Sequence, residues 1–228
     1  MKYDYIVIGG GVIGMTTSRE IAARGATVAV IDRKNVGNEA SKVAGGILSS
    51  MRPWDENPDS NKLSEESKKN YPDFVSNLEE ETGINVELIK SGLIIINKEH
   101  SDSTKKWAIN NDIKLIKKIN NKNFKKNLPA YSIFLPEIYQ IRPPLLLNAL
   151  HQSLKKYLVD FFENSIVSHI ETKNNKFEFI VLDNKKKLYA DNLIITAGAW
   201  SNLLLGNINT SINIKPIRGQ MLYARLKN

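Results

Sequence analysis

The chain has 228 residues, 42% hydrophobic and 25% charged, which suits one large or two small globular domains with a real core. It contains no cysteine, which excludes disulfides, thiolate metal sites and cysteine nucleophiles, and fits a cytoplasmic location. The net charge of +8 comes from lysines scattered among asparagine and isoleucine, as in Lys114–Lys126, Lys173–Lys176 and Lys185–Lys187. No recognition module accompanies them, so they read as a solvated face and not as a nucleic-acid surface.

In chain order, the apolar run Tyr3–Ile8 predicts a strand that passes directly into Gly9-Gly10-Gly11-Val12-Ile13-Gly14. A helix over Met15–Arg24 follows, then a strand over Thr27–Ile31 closed by Asp32. Strand, glycine turn, helix, strand and terminal acid within about 30 residues form the pattern of a dinucleotide-binding βαβ unit. Gly9 permits the turn, Gly11 lets backbone approach a pyrophosphate at the helix N-terminus, and Gly14 lets helix and strand pack closely. Asp32 stands where a carboxylate accepts hydrogen bonds from ribose hydroxyls.

A turn-rich segment over 33–61 includes the small-residue run Ala40-Ser41-Lys42-Val43-Ala44-Gly45-Gly46-Ile47-Leu48. Small residues let backbone amides lie against a flat or charged ligand, and the Ser41 hydroxyl can cap a helix or bond a phosphate; a packed helix start explains the run equally well. A polar helix is expected over Asn61–Thr82, ending at Gly83 and kinked or split at Pro72. Strands are expected at Val86–Ile89, Leu93–Asn97 and Ile113–Ile119, with a helix near His100–Asn111.

Pro143-Pro144 opens a helix over Leu145–Tyr157, whose Leu146, Leu147, Leu150, Leu154 and Leu158 form a face expected to be buried. Strand signals follow at Phe161-Phe162, Ile166–Thr172, Phe177–Asp183 and Lys187–Tyr189. Asn192–Thr196 reads as a fully buried strand, and it delivers Ala197-Gly198-Ala199-Trp200 to the edge where open α/β sheets bind ligands. A last strand is expected over Ile217–Leu226. No apolar run approaches the about 18 residues of a membrane span. His100, His151 and His169 share no ligand spacing, so no metal is expected. Ser41 and Ser201 have no histidine nearby in sequence, which argues against a hydrolase.

Taken together, Ile6–Gly14, Val30–Arg33, Ala40–Leu48, Ile195–Ser201 and Pro216–Met221 resemble the FAD-dependent amine and D-amino-acid oxidases (the DAO family), in that family's order. Gly45–Trp54 is most similar to the glycine oxidase group, which serves thiamine synthesis. The resemblance implies an α/β fold: a Rossmann-like FAD-binding domain of the GR2 flavoprotein type, interleaved with an antiparallel-sheet α+β substrate domain. The FAD-binding domain would comprise 1–60 and 136–211, and the substrate domain 61–135 and 212–228, the latter incomplete.

It further implies that Gly11, Val12 and Ile13 meet the FAD pyrophosphate, with Gly9 and Gly14 shaping the same cofactor-binding turn, while Asp32 and Arg33 flank the adenosine ribose. Ala40, Ser41, Gly45, Gly46 and Ile47 would line the pyrophosphate and flavin, Val167 would hold the adenine through its backbone, and Ala197, Gly198 and Trp200 would close over the cofactor. Relatives that attach flavin covalently use a histidine where Val43 stands, or a cysteine later in the chain; the sequence has Val43 and no cysteine, so non-covalent FAD is expected. The family continues beyond the Arg-Gly-Gln segment with a substrate-gripping arginine, a tyrosine and a further flavin loop. The chain is therefore expected to be C-terminally truncated, or completed by a second chain.

The implied reaction is oxidation of the C–N bond of glycine, a related small amino acid or a secondary amine to an imine, by hydride transfer to flavin. The alternatives are a D-amino-acid dehydrogenase that passes electrons to a carrier instead of oxygen, and an FAD-binding remnant without turnover. No catalytic base stands out. Arg52 and Arg218 are weak candidates for the substrate region, a homo-oligomer is left open, and neither nucleic acid nor membrane is expected as a partner.

Overall fold

The computed structural model describes residues 2–49, 58–110, 113–116, 128–174, 176–205, 214–220 and 222. In chain order the elements are β1 (Lys2–Ile8), α1 (Val12–Ala22), β2 (Val28–Ile31), β3 (Ile47–Leu48), α2 (Pro58–Thr82), β4 (Leu93–Ile95) and α3 (Lys98–Asn110). They continue with β5 (Ile133–Leu135), β6 (Tyr139–Gln140), α4 (Pro143–Lys156), β7 (Asp160–Phe162), β8 (Val167–Lys173), β9 (Lys176–Leu182), β10 (Lys187–Ile195) and α5 (Ser201–Leu205). A single 3₁₀ turn, Gly198–Trp200, precedes α5. The chain divides into two compact units, one of residues 1–44 and 143–228 and the other of residues 45–142.

The first unit is built on a six-stranded sheet of order β7-β2-β1-β10-β9-β8. Its first four strands are parallel, and β9 and β8 run antiparallel as a hairpin extension. This is the α/β, Rossmann-like architecture expected from the glycine turn. Ile6, Ile8, Ala29, Ile31, Ile180 and Leu182 pack on one face of the sheet. Val7, Val28 and Val30, of opposite parity, are buried as well, which is why β1 and β2 read as continuous apolar runs. Helix α1 packs against β2 and α4. Across the two helices the buried Arg19 donates from Nε to Ser153 Oγ at 2.9 Å. Tyr3 Oη donates to Asp160 Oδ2 at 2.7 Å, linking β1 to β7.

Leu146, Leu147, Leu150 and Leu154 of α4 are buried as the spacing predicts, but Leu158 is 87% exposed. The helix has ended by then. Leu158 takes a left-handed φ of 56°, with Leu158 N–H bonded to Lys155 C=O and Val159 N–H to Leu154 C=O, both at 3.1 Å. This is a Schellman-type ending with leucine where glycine is usual, and Val159 takes the inside place.

Two further expectations are corrected in this unit. The strand signals at Lys187–Tyr189 and Asn192–Thr196 belong to one strand, β10, and its second half is only half-buried. Strand β9 pairs with Lys187–Tyr189 alone, so beyond Tyr189 the strand has β1 as its only ladder neighbour among the described residues. No strand forms at 217–220 or at Leu222, and the rest of the expected Ile217–Leu226 strand lies outside the described residues.

The second unit carries two short antiparallel ladders, β3 with β6 and β4 with β5, together with α2 and α3. Helix α2 runs as one helix through Pro72, so of the kink or split expected there the split does not occur. Its end is fixed by Gly83 N–H donating to Glu79 C=O and by Glu79 Oε1 accepting Val86 N–H, both at 2.7 Å. The expected strand at Val86–Ile89 reduces to one bridge between Ile89 and Gln140, and that at Ile113–Ile119 to one bridge between Ile116 and Phe134, with 117–119 outside the described residues. Val86 is fully buried beside α2, which satisfies its apolar character without a ladder. On the unit's surface Lys90 pairs with Glu137. Hydrogen bonding to Glu137 raises the Lys90 ammonium, and hydrogen bonding to Lys90 holds the Glu137 carboxyl below its usual range.

Candidate functional site

The register of the parallel strands sets the site. Ile8 lies between Ile31 and Ile195, so Gly9, Asp32 and Thr196 leave the sheet side by side at its C-terminal edge. Gly9 N–H donates to Ile31 C=O and Thr196 N–H to Ile8 C=O, both at 2.8 Å. The Thr196 hydroxyl lies 2.8 Å from Gly9 C=O and 3.1 Å from Ile8 C=O. A Cβ on Gly9 would sit 2.5 Å from Thr196 O, and Gly9 also holds a φ of +109°, a conformation natural only to glycine. A Cβ on Gly14 would overlap Gly9 O and stand 2.7 Å from Thr196 Oγ1. These glycines are required by the protein's own packing. Gly11 differs: an added Cβ there would meet only Ser41 Oγ, at 3.1 Å, and otherwise open space.

Gly11 is the N-cap of α1, and the first helical bond runs from Met15 N–H to Gly11 C=O at 2.9 Å. The N–H groups ahead of it have no partner within the helix. Val12 N–H donates to Ser41 Oγ at 3.0 Å. A hydroxyl that accepts one bond still has its own proton to give, so Ser41 caps the helix and can also donate to an anion. Asp32 accepts Gly10 N–H on Oδ2 at 2.8 Å and Lys34 N–H on Oδ1 at 2.9 Å. A carboxylate offers about four lone-pair sites, which leaves two for ligand hydroxyls.

Two adjoining hollows occupy this edge of the first unit. One, of about 100 Å³, lies over Gly9, Gly10, Gly11, Ala40, Ser41 and Gly198. The other, of about 220 Å³, is lined mainly by Ile31, Arg33, Ser165, Ile166, Val167 and Leu204. Gly9, Asp32, Glu39, Ala197 and Trp200 border both. Together they form one groove from the helix N-terminus to β8. Across it the Arg33 guanidinium lies 3.8 Å over the Trp200 ring and donates to both oxygens of Glu39, at 2.8 and 3.0 Å. Burial alone would raise the Glu39 carboxyl, but the hydrogen bonds and charges of Arg33 and Lys34 outweigh it and hold the group below the usual carboxylate range.

The structure thus brings together Gly9, Gly11, Asp32, Arg33, Ala40, Ser41, Val167, Ala197, Gly198 and Trp200 on one groove, with Val12, Ile13 and Gly14 in the first turn of α1 beside it. Gly45, Gly46 and Ile47 fold with the second unit, where Gly46 C=O accepts Ile141 N–H at 2.8 Å and Ile47 pairs with Gln140. Arg218 is exposed and outside any helix or strand, and Arg52 lies outside the described residues. Glu39 is part of the site but is not among the residues the sequence points to, whereas Thr196 opens the small-residue segment expected at this edge. The signal for Glu39 was its place directly before Ala40-Ser41. Among the described residues, no helix is long and apolar enough to cross a membrane, and no group of three or more His, Cys, Asp or Glu side chains could hold a metal ion.

The family model for FAD dependent oxidoreductases matches residues 4–228. The chain belongs to this family. FAD is accordingly its cofactor, and the glycine-lined groove answers the requirement on geometry: a helix N-terminus with unused N–H groups, and a carboxylate with unused lone pairs. The family member glycine oxidase from Pseudomonas aeruginosa is 26% identical over 97% of this chain. The crystal structure of glycine oxidase from Bacillus cereus is 26% identical, with a TM-score of 0.79 over 90% of this chain. That of glycine oxidase from Geobacillus kaustophilus is 23% identical, with a TM-score of 0.81 over 92% of this chain. The chain spans 62% of the length of the Pseudomonas protein and 58% and 59% of the two crystallised ones.

Proposed function

We propose that the chain binds FAD non-covalently along this groove, as part of a flavoenzyme that oxidises the C–N bond of glycine or a related small amino acid or secondary amine. The observation that carries the reading is Gly11: its missing side chain leaves open space beside the unpaired N–H groups of α1, where a pyrophosphate is favoured. Ser41 donates to the same phosphate, Asp32 accepts from the ribose hydroxyls, and the apolar hollow at Ile166 and Val167 takes the adenine. Arg33, clamped by Glu39 and resting on Trp200, forms the wall that covers the adenosine. Val43 at the position of an attaching histidine supports the non-covalent reading.

FAD, once bound, supplies the hydride acceptor; the protein's part is to hold the cofactor, orient the amine and exclude water. Under this reading 1–60 and 136–211 build the cofactor domain and 61–135 and 212–228 the substrate domain. The run 40–47 then serves the flavin although its last residues fold with the second unit. The protein works in the cytoplasm on a small-molecule substrate, with oxygen or an electron carrier as acceptor. The visible spectrum of the purified chain tests the reading, recorded before and after anaerobic glycine or sarcosine. A flavin spectrum that bleaches supports both parts, and one that persists withdraws turnover. A colourless, folded protein that does not take up added FAD refutes the site. Oxygen uptake against dye reduction separates the two acceptors.

A further inference from the structure

A second hollow, of about 240 Å³, lies wholly within the second unit, between the end of β3 and the first half of α2. It arises from a change of character along one helix face. In the second half of α2 the inward stripe is apolar: Val75 and Leu78 are buried. Followed back at three- and four-residue steps, the same stripe becomes Tyr71, Lys68, Ser67 and Ser64, all of which line the hollow. Lys68 stays mostly covered, its side chain only 20% exposed. Ser64 and Tyr71 are half-buried as well and Ser67 is exposed, so the polar end of the stripe forms a half-covered rim with the Lys68 stem drawn inward.

The chemistry of the lining is asymmetric. Leu48 gives it an apolar side and the 68% exposed Leu63 an apolar rim, and Ser64 and Ser67 supply hydroxyls beside the already engaged Ser49. Lys68 supplies the one cation of the lining. The Glu65 carboxylate stands 3.7 Å from it, too far for a hydrogen bond. Burial pushes the Tyr71 phenol up, so it remains a hydroxyl donor. The Lys68 ammonium is a donor-only group and the hydroxyls beside it can turn their protons to the same acceptor, while leucine carbon lies at the other end. One cation, partly offset by Glu65 and acting also on the Glu137 carboxyl, suits at most a single negative charge and not a phosphate dianion. The hollow, about 240 Å³ and open to solvent on one side, is of a size to seat a small molecule.

We propose that this hollow is a binding site for a small aliphatic monocarboxylate, with the carboxylate on Lys68, the serine hydroxyls and Tyr71, and the carbon skeleton on Leu48 and Leu63. The site stands on the second unit alone and does not depend on the FAD reading. Two sources share this chemistry: an amino acid, whose carboxylate is the same group, and a free carboxylic acid acting as an effector.

The test is a calorimetric titration of the full chain with sodium propionate against sodium chloride at equal ionic strength, with glycine and propylamine as further probes. Saturable millimolar propionate binding is expected, weakened about tenfold or more in Lys68→Met, severalfold in Tyr71→Phe, and largely kept in Lys68→Arg. Glycine binding with the same Lys68→Met sensitivity identifies the amino acid as the occupant; propionate without glycine identifies the effector. Propionate heats equal to chloride, propylamine binding as well as propionate, or an unaffected Lys68→Met variant with a native circular dichroism melt would each overturn the proposal. The 450 nm absorbance of added FAD, followed on the same samples, keeps failure of the cofactor site separate.

Discussion

Replacing Gly14 by alanine sets two effects of opposite sign against each other. Alanine inside a helix is favoured over glycine by about 1 kcal/mol. In α1, however, the new methyl would overlap the carbonyl oxygen of Gly9 and lie 2.7 Å from Thr196 Oγ1. Neither neighbour yields easily. Gly9 is held by its N–H bond to Ile31 C=O at 2.8 Å, and Thr196 is tied to both Ile8 and Gly9. Overpacking against rigid backbone costs about 1–3 kcal/mol, occasionally more, and a clash with a fixed carbonyl belongs at the upper end. After the helix gain is subtracted, Gly14→Ala is expected to lose about 2 kcal/mol. For a domain of this size that lowers Tm by about 4–8 °C. Differential scanning calorimetry reads it directly, with Gly45→Ala as a control because a Cβ at Gly45 meets nothing within 4 Å. A Gly14→Ala protein as stable as the parent, or more so, would refute the claim that α1 is pressed against the end of β1.

Asp32→Ala should weaken FAD binding by about 1–3 kcal/mol through loss of a charge-assisted ribose bond, read by spectral titration; unchanged affinity removes Asp32 from the site. Leu158→Gly should raise stability by about 1 kcal/mol, because the left-handed position ending α4 is strained for leucine and the side chain is 87% exposed, so little burial is lost. A lower Tm would show that the exposed leucine has a partner. Burial, and then the bond to Asp160, raise the Tyr3 phenol. Its contribution is therefore complete below the unfolded value of about 10 and is lost as pH rises above it. Urea denaturation at pH 8 and pH 11 should show a steeper alkaline loss in the parent than in Tyr3→Phe, and parallel losses would count against this pair. Glu39, held low, contributes above the ordinary carboxylate range and loses that contribution as pH falls through its lowered value. Glu39→Gln should accordingly flatten the acid limb of the Tm profile, and an unaltered limb would show the clamp on Arg33 to be idle.

The βαβ start was legible because each residue type there has one physical job, and the ladder register then placed Gly9, Asp32 and Thr196 together without further information. Helix α4 was legible by its period, but its end was not: nothing local says that Leu158 turns left-handed, since that choice is made by Val159 going inside. The division of β10 into two strands was a misreading of Ala190-Asp191 as an interruption. The pairing with β1 runs straight across it, through Ala190 opposite Tyr3 and Asn192 opposite Tyr5. Glu39 escaped notice because its role exists only in three dimensions, between a guanidinium six residues away and the groove it borders. The hollow on α2 was invisible for a related reason. Its serines and lysine read as an ordinary polar helix until the covered side of that helix is known.

The central ladder has a consequence for how the chain is made. Ile8, at the end of the first strand, is joined by its carbonyl to Thr196, 188 residues later. At about 5–20 residues per second of synthesis, the apolar β1 waits about 10–40 s before its permanent neighbour β10 emerges. During that interval the whole of residues 45–142, which closes on itself, has already been delivered and can fold. Residues 45–142 can thus pack before β1 gains its β10 neighbour, and until then that edge of β1 stays unpaired.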